Sequence, residues 1–391
     1  MCLRWLAIGC VPWALAFLLA CQGAGNNAAS SPLPAPGSAP VSVPSGEILY
    51  VVDDVSVTTY AVDPNTLEPS IAGGSVTVIP TSSALLQLVP SPDGHFLYEL
   101  WADDEEREHL SAYATDASGI PLLPPVQTLD VWSLSEFNIH PSGQFAYAMQ
   151  LDNSAGEYTS TLLLFQIQPS GILQPAGVQG KYGPSLMPTL LYGVSSDGTQ
   201  LYLESQDPNG PAYWERTVDG QNGTLAPDVL LLRPPMNDSM VIGVKLMIDY
   251  QDALDCRRPR YVNVLPHEPE PSAPLIHCGS AMLSACGTAS NVQLDPSGKY
   301  LFLTDAASPQ VRVAAINLSQ STVTDTGNFL PRTAQTPGFA FSPDGTLVYA
   351  LLASDLSLHI FSFDRTGGNL QESGASIPMT ASAGFLPALR R

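Results

Sequence analysis

Carboxylates converging from several segments of a chain are the chemistry of hard-cation and basic-ligand binding, and this sequence spaces them regularly. Counted from a recurring series of turn glycines, Asp53, Asp103, Asp152 and Asp305 each fall seven to nine residues downstream. Asp54 and Asp104 stand beside the first two, and Glu204 lies close to the same register. Gathered on one rim, these groups would collect Ca²⁺ or a basic ligand; as polar residues in turns between strands they would serve solubility alone. Trp101, Trp132 and Tyr182 lie near the same turns. They would offer a stacking surface to a sugar or peptide, or equally fill gaps between packed sheets. The run Asp103-Asp104-Glu105-Glu106-Arg107-Glu108-His109 extends one of these turns, as a solvated hairpin or as a metal site. The motifs that name an enzyme from local sequence are missing: no Gly-x-Ser-x-Gly, no His-Glu-x-x-His, no phosphate loop and no dinucleotide fingerprint. A site assembled from single residues of several segments would leave no such trace.

The elements that must position these residues follow from the glycine series itself. Ser91-Pro92-Asp93-Gly94 precedes Phe96-Leu97-Tyr98, His140-Pro141-Ser142-Gly143 precedes Phe145-Ala146-Tyr147, and Ser342-Pro343-Asp344-Gly345 precedes Leu347-Val348-Tyr349. Related copies stand at Pro44-Ser45-Gly46, Ser196-Asp197-Gly198 and Asp295-Pro296-Ser297-Gly298, so the glycine steps are 48, 49, 55, 100 and 47 residues. Proline presets the first turn angle, Asp or Ser bonds back to the main chain, and glycine takes the left-handed conformation. Period-two alternation around each turn yields four short strands per unit, read in the last unit as 339–341, 347–352, 358–363 and 376–379. The third strand is also read at 55–63, 160–168 and 311–318.

Repeats of this size built from strands specify an all-β fold, a seven-bladed β-propeller of four-stranded antiparallel blades. The step of 100 residues must then hide one degenerate unit, aligned here with Val241–Met247 as its first strand and Tyr261–Leu265 as its second. If residues 230–290 are instead an insertion, the count falls to six. The chain enters near the second strand of a blade, so Ala383–Leu389 is either that blade's missing inner strand or a frayed tail.

The sequence divides into a leading segment (1–20), a linker (21–45) and the propeller (46–391). Residues 1–20 carry Arg4 and then an apolar run too short to span a membrane, which is the pattern of an export signal. Residues 22–45 are Ala, Pro, Ser, Gly, Asn and a few others without charge, a tether that stretches at most roughly 80 Å. With 36 Asp+Glu against 15 Lys+Arg the net charge is −21, and removal of Arg4 makes it one unit more negative. Such a surface repels phosphate backbones, which excludes nucleic acid as a partner.

Leu18-Leu19-Ala20-Cys21 resembles the lipobox of bacterial lipoproteins. The resemblance implies cleavage before Cys21, lipidation of that cysteine and placement at the outer membrane or cell surface; ordinary secretion is the alternative. Cys256, Cys278 and Cys286 then remain, an odd number read as one disulfide and one free thiol, with Cys278 and Cys286 the nearer pair. A zinc site from His267, His277, Cys278 and Cys286 matches no standard ligand spacing.

The repeats themselves resemble the bacterial seven-bladed propellers with YVTN-type repeats, which include the lactonase propellers related to 6-phosphogluconolactonase. That resemblance covers about residues 45–390 and implies the propeller fold; the function expected is a binding or scaffold module for a protein, peptide or glycan, with the alternative, implied by the resemblance, of a lactonase-type hydrolase working at the central funnel. Histidines that such enzymes place ahead of the inner-strand turn are absent from Thr336-Pro337-Gly338-Phe339 and Met187-Pro188-Thr189-Leu190, so no catalytic residue carries over. His140, ahead of a turn on the opposite face, is read as structural. A monomer without a resident cofactor is expected, Ca²⁺ being the one candidate ion.

Replacing Cys21 with Ala should move the protein from the membrane fraction to the soluble fraction and abolish incorporation of labelled fatty acid; unchanged fractionation would remove the lipid anchor from this reading.

Overall fold

The computed structural model describes most of residues 47–389; 1–46, 233–237, 252–260, 264–274, 278–288, 334–338, 380–383, 390–391 and shorter loop stretches lie outside the description. The first blade opens with β1 (Glu47–Asp53), β2 (Ser56–Val62) and β3 (Pro69–Thr77). Blade 2 comprises β4 (Ala84–Pro90), β5 (Phe96–Ala102), β6 (Glu108–Ala114) and β7 (Gln127–Val131), and blade 3 comprises β8 (Leu134–Ile139), β9 (Phe145–Asp152), β10 (Tyr158–Ile167) and β11 (Leu173–Ser185). Blade 4 has β12 (Leu190–Val194), β13 (Gln200–Asp207), β14 (Gly210–Thr217) and β15 (Val229–Leu232). Blade 5 has β16 (Asp238–Gly243), β17 (Leu246–Gln251), β18 (Tyr261–Asn263) and β19 (Leu275–His277). Blade 6 runs through β20 (Ala289–Leu294), β21 (Tyr300–Asp305), β22 (Val311–Asn317) and β23 (Thr322–Leu330), and blade 7 through β24 (Phe339–Phe341), β25 (Leu347–Leu351), β26 (Ser357–Asp364) and β27 (Asn369–Pro378). The last strand, β28 (Gly384–Leu389), returns to pair with β1.

Seven four-stranded antiparallel sheets result, which settles the blade count. The first blade reads β28-β1-β2-β3, so the chain's end supplies the inner strand missing at its beginning, with Leu49 opposite Pro387 and Val51 opposite Phe385. First strands of neighbouring blades touch one another around the axis, β4 with β8 and β8 with β12, while fourth strands such as β3 lie half exposed on the outside. The hidden unit differs from its sequence reading. Tyr261 begins the third strand rather than the second, because Gly243 pairs with Leu246 across a two-residue connection that needs no Ser-Pro-Asp-Gly turn. The segment containing Cys256 therefore connects the second and third strands.

The turn that marks the repeat forms as its composition dictates. In blade 2, Gly94 N–H donates to Ser91 O at 2.9 Å with Gly94 at φ +71°, while the Ser91 hydroxyl donates to Asp93 Oδ1 and accepts from Phe96 N–H. Blade 7 repeats this, with Gly345 N–H on Ser342 O and the Ser342 hydroxyl on Asp344. His140 occupies the serine position of blade 3, is buried, and contacts Gly198 O of blade 4 through Nε2 at 2.8 Å. Its structural reading holds.

Those turns also aim a second, less visible repeat. Four residues after Gly46, Gly94 and Gly143, a buried tyrosine crosses the seam to the third-to-fourth-strand turn of the next blade. Tyr50 Oη donates to Gly119 O at 2.9 Å, Tyr98 to Gly171 O at 3.0 Å, and Tyr147 to Gly223 O at 2.7 Å. Blade 6 has Phe302 at that place and uses Tyr300, two residues earlier, to reach Thr366 O at 3.0 Å. Each accepting turn must pass close beneath the preceding blade. A Cβ on Gly171, at φ +82°, would lie 2.2 Å from a Phe96 ring carbon, so neither the conformation nor the space admits a side chain. Apolar faces close the same seams, with Leu97 and Tyr113 against Ile48, Tyr50 and Val57, and Tyr98 and Leu100 against Phe137 and Ile139.

Deleting residues 384–391 should open the edge of β1, lower the thermal midpoint and increase light scattering on heating. Tyr147→Phe, which only orphans the Gly223 carbonyl, should cost about 0.5 to 1.5 kcal/mol in denaturant unfolding. Equal midpoints for the deletion and the intact chain would contradict closure through β28.

Candidate functional site

Antiparallel strand order sends the Ser-Pro-Asp-Gly turns to one face of the disc and both the second-to-third-strand loops and the blade crossings to the other. The predicted carboxylates share that second face. Asp53 ends β1 opposite Ser56, Asp152 ends β9 opposite Thr159, Asp305 ends β21 opposite Ala289, and Asp103 follows β5 directly. Trp132 sits in the crossing from β7 to β8. The side chains of Asp53, Asp305 and Glu204 lie outside the described residues, as do Asp54, Cys21, Cys256, Cys278, Cys286 and His267 altogether. Asp152 is half-buried and engaged.

Asp103 faces its own loop. Its Oδ1 accepts from Glu105 N–H and Arg107 N–H at 2.9 Å, and its Oδ2 meets Arg107 Nε at 2.8 Å and His109 Nε2 at 3.2 Å. Burial acts to raise its carboxyl, but the bonds from Arg107, His109 and Glu105 outweigh it and hold the group well below the usual carboxylate range. The other ring nitrogen of His109 lies 3.0 Å from Asp130 on β7. Blade 7 contains a second copy: His359 joins Asp355 of the equivalent loop at 2.9 Å to Glu372 of β27 at 2.6 Å. The bond to His359 is what chiefly lowers the Asp355 carboxyl. A histidine clamped between two acids, on the third and fourth strands and so in the outer half of a blade, fastens a loop. Sequence reading passed over Asp355-x-x-x-His359 because the acid lies ten residues after Gly345, one beyond the register of the others.

Of the three aromatic candidates, two are committed to packing. Trp101 stacks on His109 with ring centroids 4.2 Å apart and donates through Nε1 to Ser111 Oγ at 3.0 Å. Tyr182 donates to Asp228 at 3.0 Å on the outer side of blades 3 and 4. Trp132 remains 62% exposed. Its main chain is fixed: its carbonyl accepts from Gln150 Nε2 at 3.0 Å, and Ser133, at φ +53°, accepts from Leu151 N–H through its carbonyl at 2.7 Å. The indole is thus displayed on a rigid turn, two residues before the inner strand β8 begins.

The inner strands carry polar groups that the spacing argument missed. Gln87 on β4 spans to β8, accepting from Phe137 N–H and donating to Phe137 O, both at 2.9 Å. Glu136 occupies the matching place on β8, four residues before its turn, and reaches β12 through a single bond from Leu191 N–H at 3.3 Å. The Ser135 hydroxyl also donates to Oε2, while Oε1 has no partner. Burial pushes this carboxyl up to about 7, against the two hydrogen bonds that lower it. A lone acid inside the apolar strand Leu134-Ser135-Glu136-Phe137-Asn138-Ile139 was the signal available in the sequence. Among the described residues no group of three or more His, Cys, Asp or Glu is arranged to hold a metal ion.

Comparison with known proteins bears on the fold. Residues 272–384 match the family described as lactonase, 7-bladed beta-propeller. No curated protein matches. Among solved structures, the periplasmic gluconolactonase of Pseudomonas aeruginosa superposes with a TM-score of 0.59 at 13% identity, covering 89% of this chain and 100% of that one. A candidate 6-phosphogluconolactonase from Bacteroides fragilis gives 0.54 at 16%, covering 89% and 100%. A hypothetical selenium-binding protein from Sulfolobus tokodaii gives 0.56 at 11%, covering 89% and 94%. The chain is thus a lactonase-like propeller in fold, as its repeats imply.

The raised Glu136 carboxyl has a signed consequence. As pH rises from about 4.5 to about 7 the unfolded chain loses this proton and the folded one keeps it, so stability falls through that window and the loss is complete above it. Glu136→Gln, able to give both bonds as Gln87 does, should flatten the fall and stabilise the protein at pH 7.5 by roughly 2 to 3 kcal/mol. Urea midpoints of the two proteins that stay parallel from pH 5 to 8 would contradict this.

Proposed function

We propose that this chain is an exported, lipid-tethered lactonase-like propeller whose loop rim binds a protein, peptide or glycan. The observation that carries the reading is Trp132, an indole held out to solvent by a fixed turn beside the inner strands. On the same face, the acid–histidine clusters of blades 2 and 7 are consumed in fastening loops. An aromatic plate with spent neighbours suits stacking on a sugar or peptide face better than bond cleavage. Cys21 would supply the membrane attachment, and the acidic surface disfavours nucleic acid and anionic headgroups alike. The rim acids would collect Ca²⁺ only if Asp53 and Asp305 turn inward.

A second reading, hydrolysis of a lactone at the central funnel, is supported by the similarity to gluconolactonases and by Glu136, a near-neutral carboxyl on an inner strand. There an activated water would add to the ring carbonyl, the ring C–O bond would break, and the alkoxide would take a proton to give the hydroxy acid. The Glu136 oxygens are shielded within the blade 3–4 seam, which favours the first reading.

Tryptophan fluorescence during titration with oligosaccharide and peptide panels should show saturable quenching that Trp132→Ala weakens at least tenfold without changing the thermal midpoint. Hydrolysis of δ-gluconolactone or its 6-phosphate well above the spontaneous rate, insensitive to Trp132→Ala, would instead establish the second reading.

A further inference from the structure

The seam between blades 1 and 2 encloses two polar side chains that the packing leaves without partners. Glu99, in the middle of β5, is 0% exposed, and neither carboxyl oxygen has a hydrogen-bond partner. Thr59 on β2 is equally buried, and its hydroxyl is likewise unpartnered. Strand alternation places both in the same seam. Leu97, two residues before Glu99, packs with Ile48, Tyr50 and Val57 of blade 1, whereas Tyr98 and Leu100 face blade 3. Val57, two residues before Thr59, belongs to that same cluster, and Thr59 lies opposite Tyr50 in the β1–β2 register.

Two hydroxyl side chains of β6, Tyr113 and Ser111, share this face and make contacts of their own, and the Tyr113 hydroxyl also acts to lower the Glu99 carboxyl. Tyr113 donates its hydroxyl hydrogen to Val78 O at 2.6 Å. Ser111, directly opposite Glu99, accepts from Trp101 Nε1 and shares a hydrogen with Thr128 Oγ1 at 3.1 Å. One pleat nearer the rim, the stacked Trp101 and His109 rings cover the seam, with His109 itself held between Asp103 and Asp130. An ionised carboxylate buried this deeply carries a large desolvation cost unless a cation joins it.

We propose that the blade 1–2 seam binds one alkali-metal cation between the Glu99 carboxylate and the Thr59 hydroxyl. Oxygen donors suit a hard ion, and a single carboxylate neutralises a single charge, where a divalent ion would leave a buried excess. Burial pushes the Glu99 carboxyl up to about 8 against the Tyr113 hydroxyl that acts to lower it, so protons compete with the ion and binding strengthens as pH rises. The site pins β2 of the first blade to β5 of the second, beside the blade through which the ring closes.

Thermal midpoints of the full-length protein at pH 8.5 in NaCl, KCl or RbCl, against choline chloride at equal ionic strength, test this. An ion that binds only the folded chain stabilises it in proportion to the logarithm of its concentration above the dissociation constant. A saturable rise specific to an alkali ion is expected, erased by Glu99→Gln and shifted to at least tenfold higher salt by Thr59→Val. Crystals soaked in RbCl should show an anomalous peak within coordinating distance of Glu99, and this decides the matter if Glu99→Gln fails to fold. Equal midpoints in the four salts, an ion-specific gain that persists in Glu99→Gln, or no rubidium at Glu99 would each overturn the proposal.

Discussion

A propeller is a ring of faces that no blade can cover alone, and here the first three seams share one repeated contact: a tyrosine hydroxyl reaching the carbonyl of a left-handed glycine turn in the next blade. The hydroxyl sets the rotation of one blade on another, since the turn must lie under the ring that precedes it. Apolar packing supplies the bulk of the attraction but is indifferent to small rotations; the hydrogen bond is not. Where the series ends, at the junction of blade 7 with blade 1, the accepting turn carries Leu67 at φ +59° in place of glycine, and the Tyr349 hydroxyl has no partner. That seam instead places Tyr349 near Glu47, whose carboxyl is held well above its usual range by burial first and by Asp344 second. The closing seam is therefore built differently from the three that carry the tyrosine-to-glycine contact.

How much of this was legible in the sequence depends on the range of the interaction. The Ser-Pro-Asp-Gly turns and their strands were, because a proline, an aspartate and a glycine within four residues determine the backbone locally. The closing strand was legible too, through the strand count of the first blade. The tyrosine-to-turn contacts were not, although both partners repeat: the 69, 73 and 76 residues between Tyr50 and Gly119, Tyr98 and Gly171, and Tyr147 and Gly223 vary with loop length. In blade 5 the turn signature was missing altogether, so β17 was overlooked and Tyr261 moved forward by one strand.

Site residues were harder still. Counting from the glycines located the acids at the right end of the right strands, but it could not say which way Asp103 would turn, because that depends on Arg107 and His109 closing around it. The opposite error concerned Glu99 and Glu136. Each is an acid embedded in an apolar strand, where alternation reads it as one more outward residue; only the packing of two blades shows that both sides of these strands are interior. Among the described residues, hydrogen bonds hold Asp103 and Asp355 of the loop face low, whereas burial pushes Glu99 and Glu136 of the seams up.

The pairing of β28 with β1 also decides how the folded disc responds to load. Chain preceding Glu47 enters the propeller through β1, a strand flanked on both edges, with seven residues in register against β2 and six against β28. A pull along that entering segment acts parallel to β1 and strains both ladders in shear, all rungs together, instead of peeling an edge strand one bond at a time. A body held through such a strand resists drag from its surroundings at the point where it is held, and the resistance would drop sharply if β28 were lost.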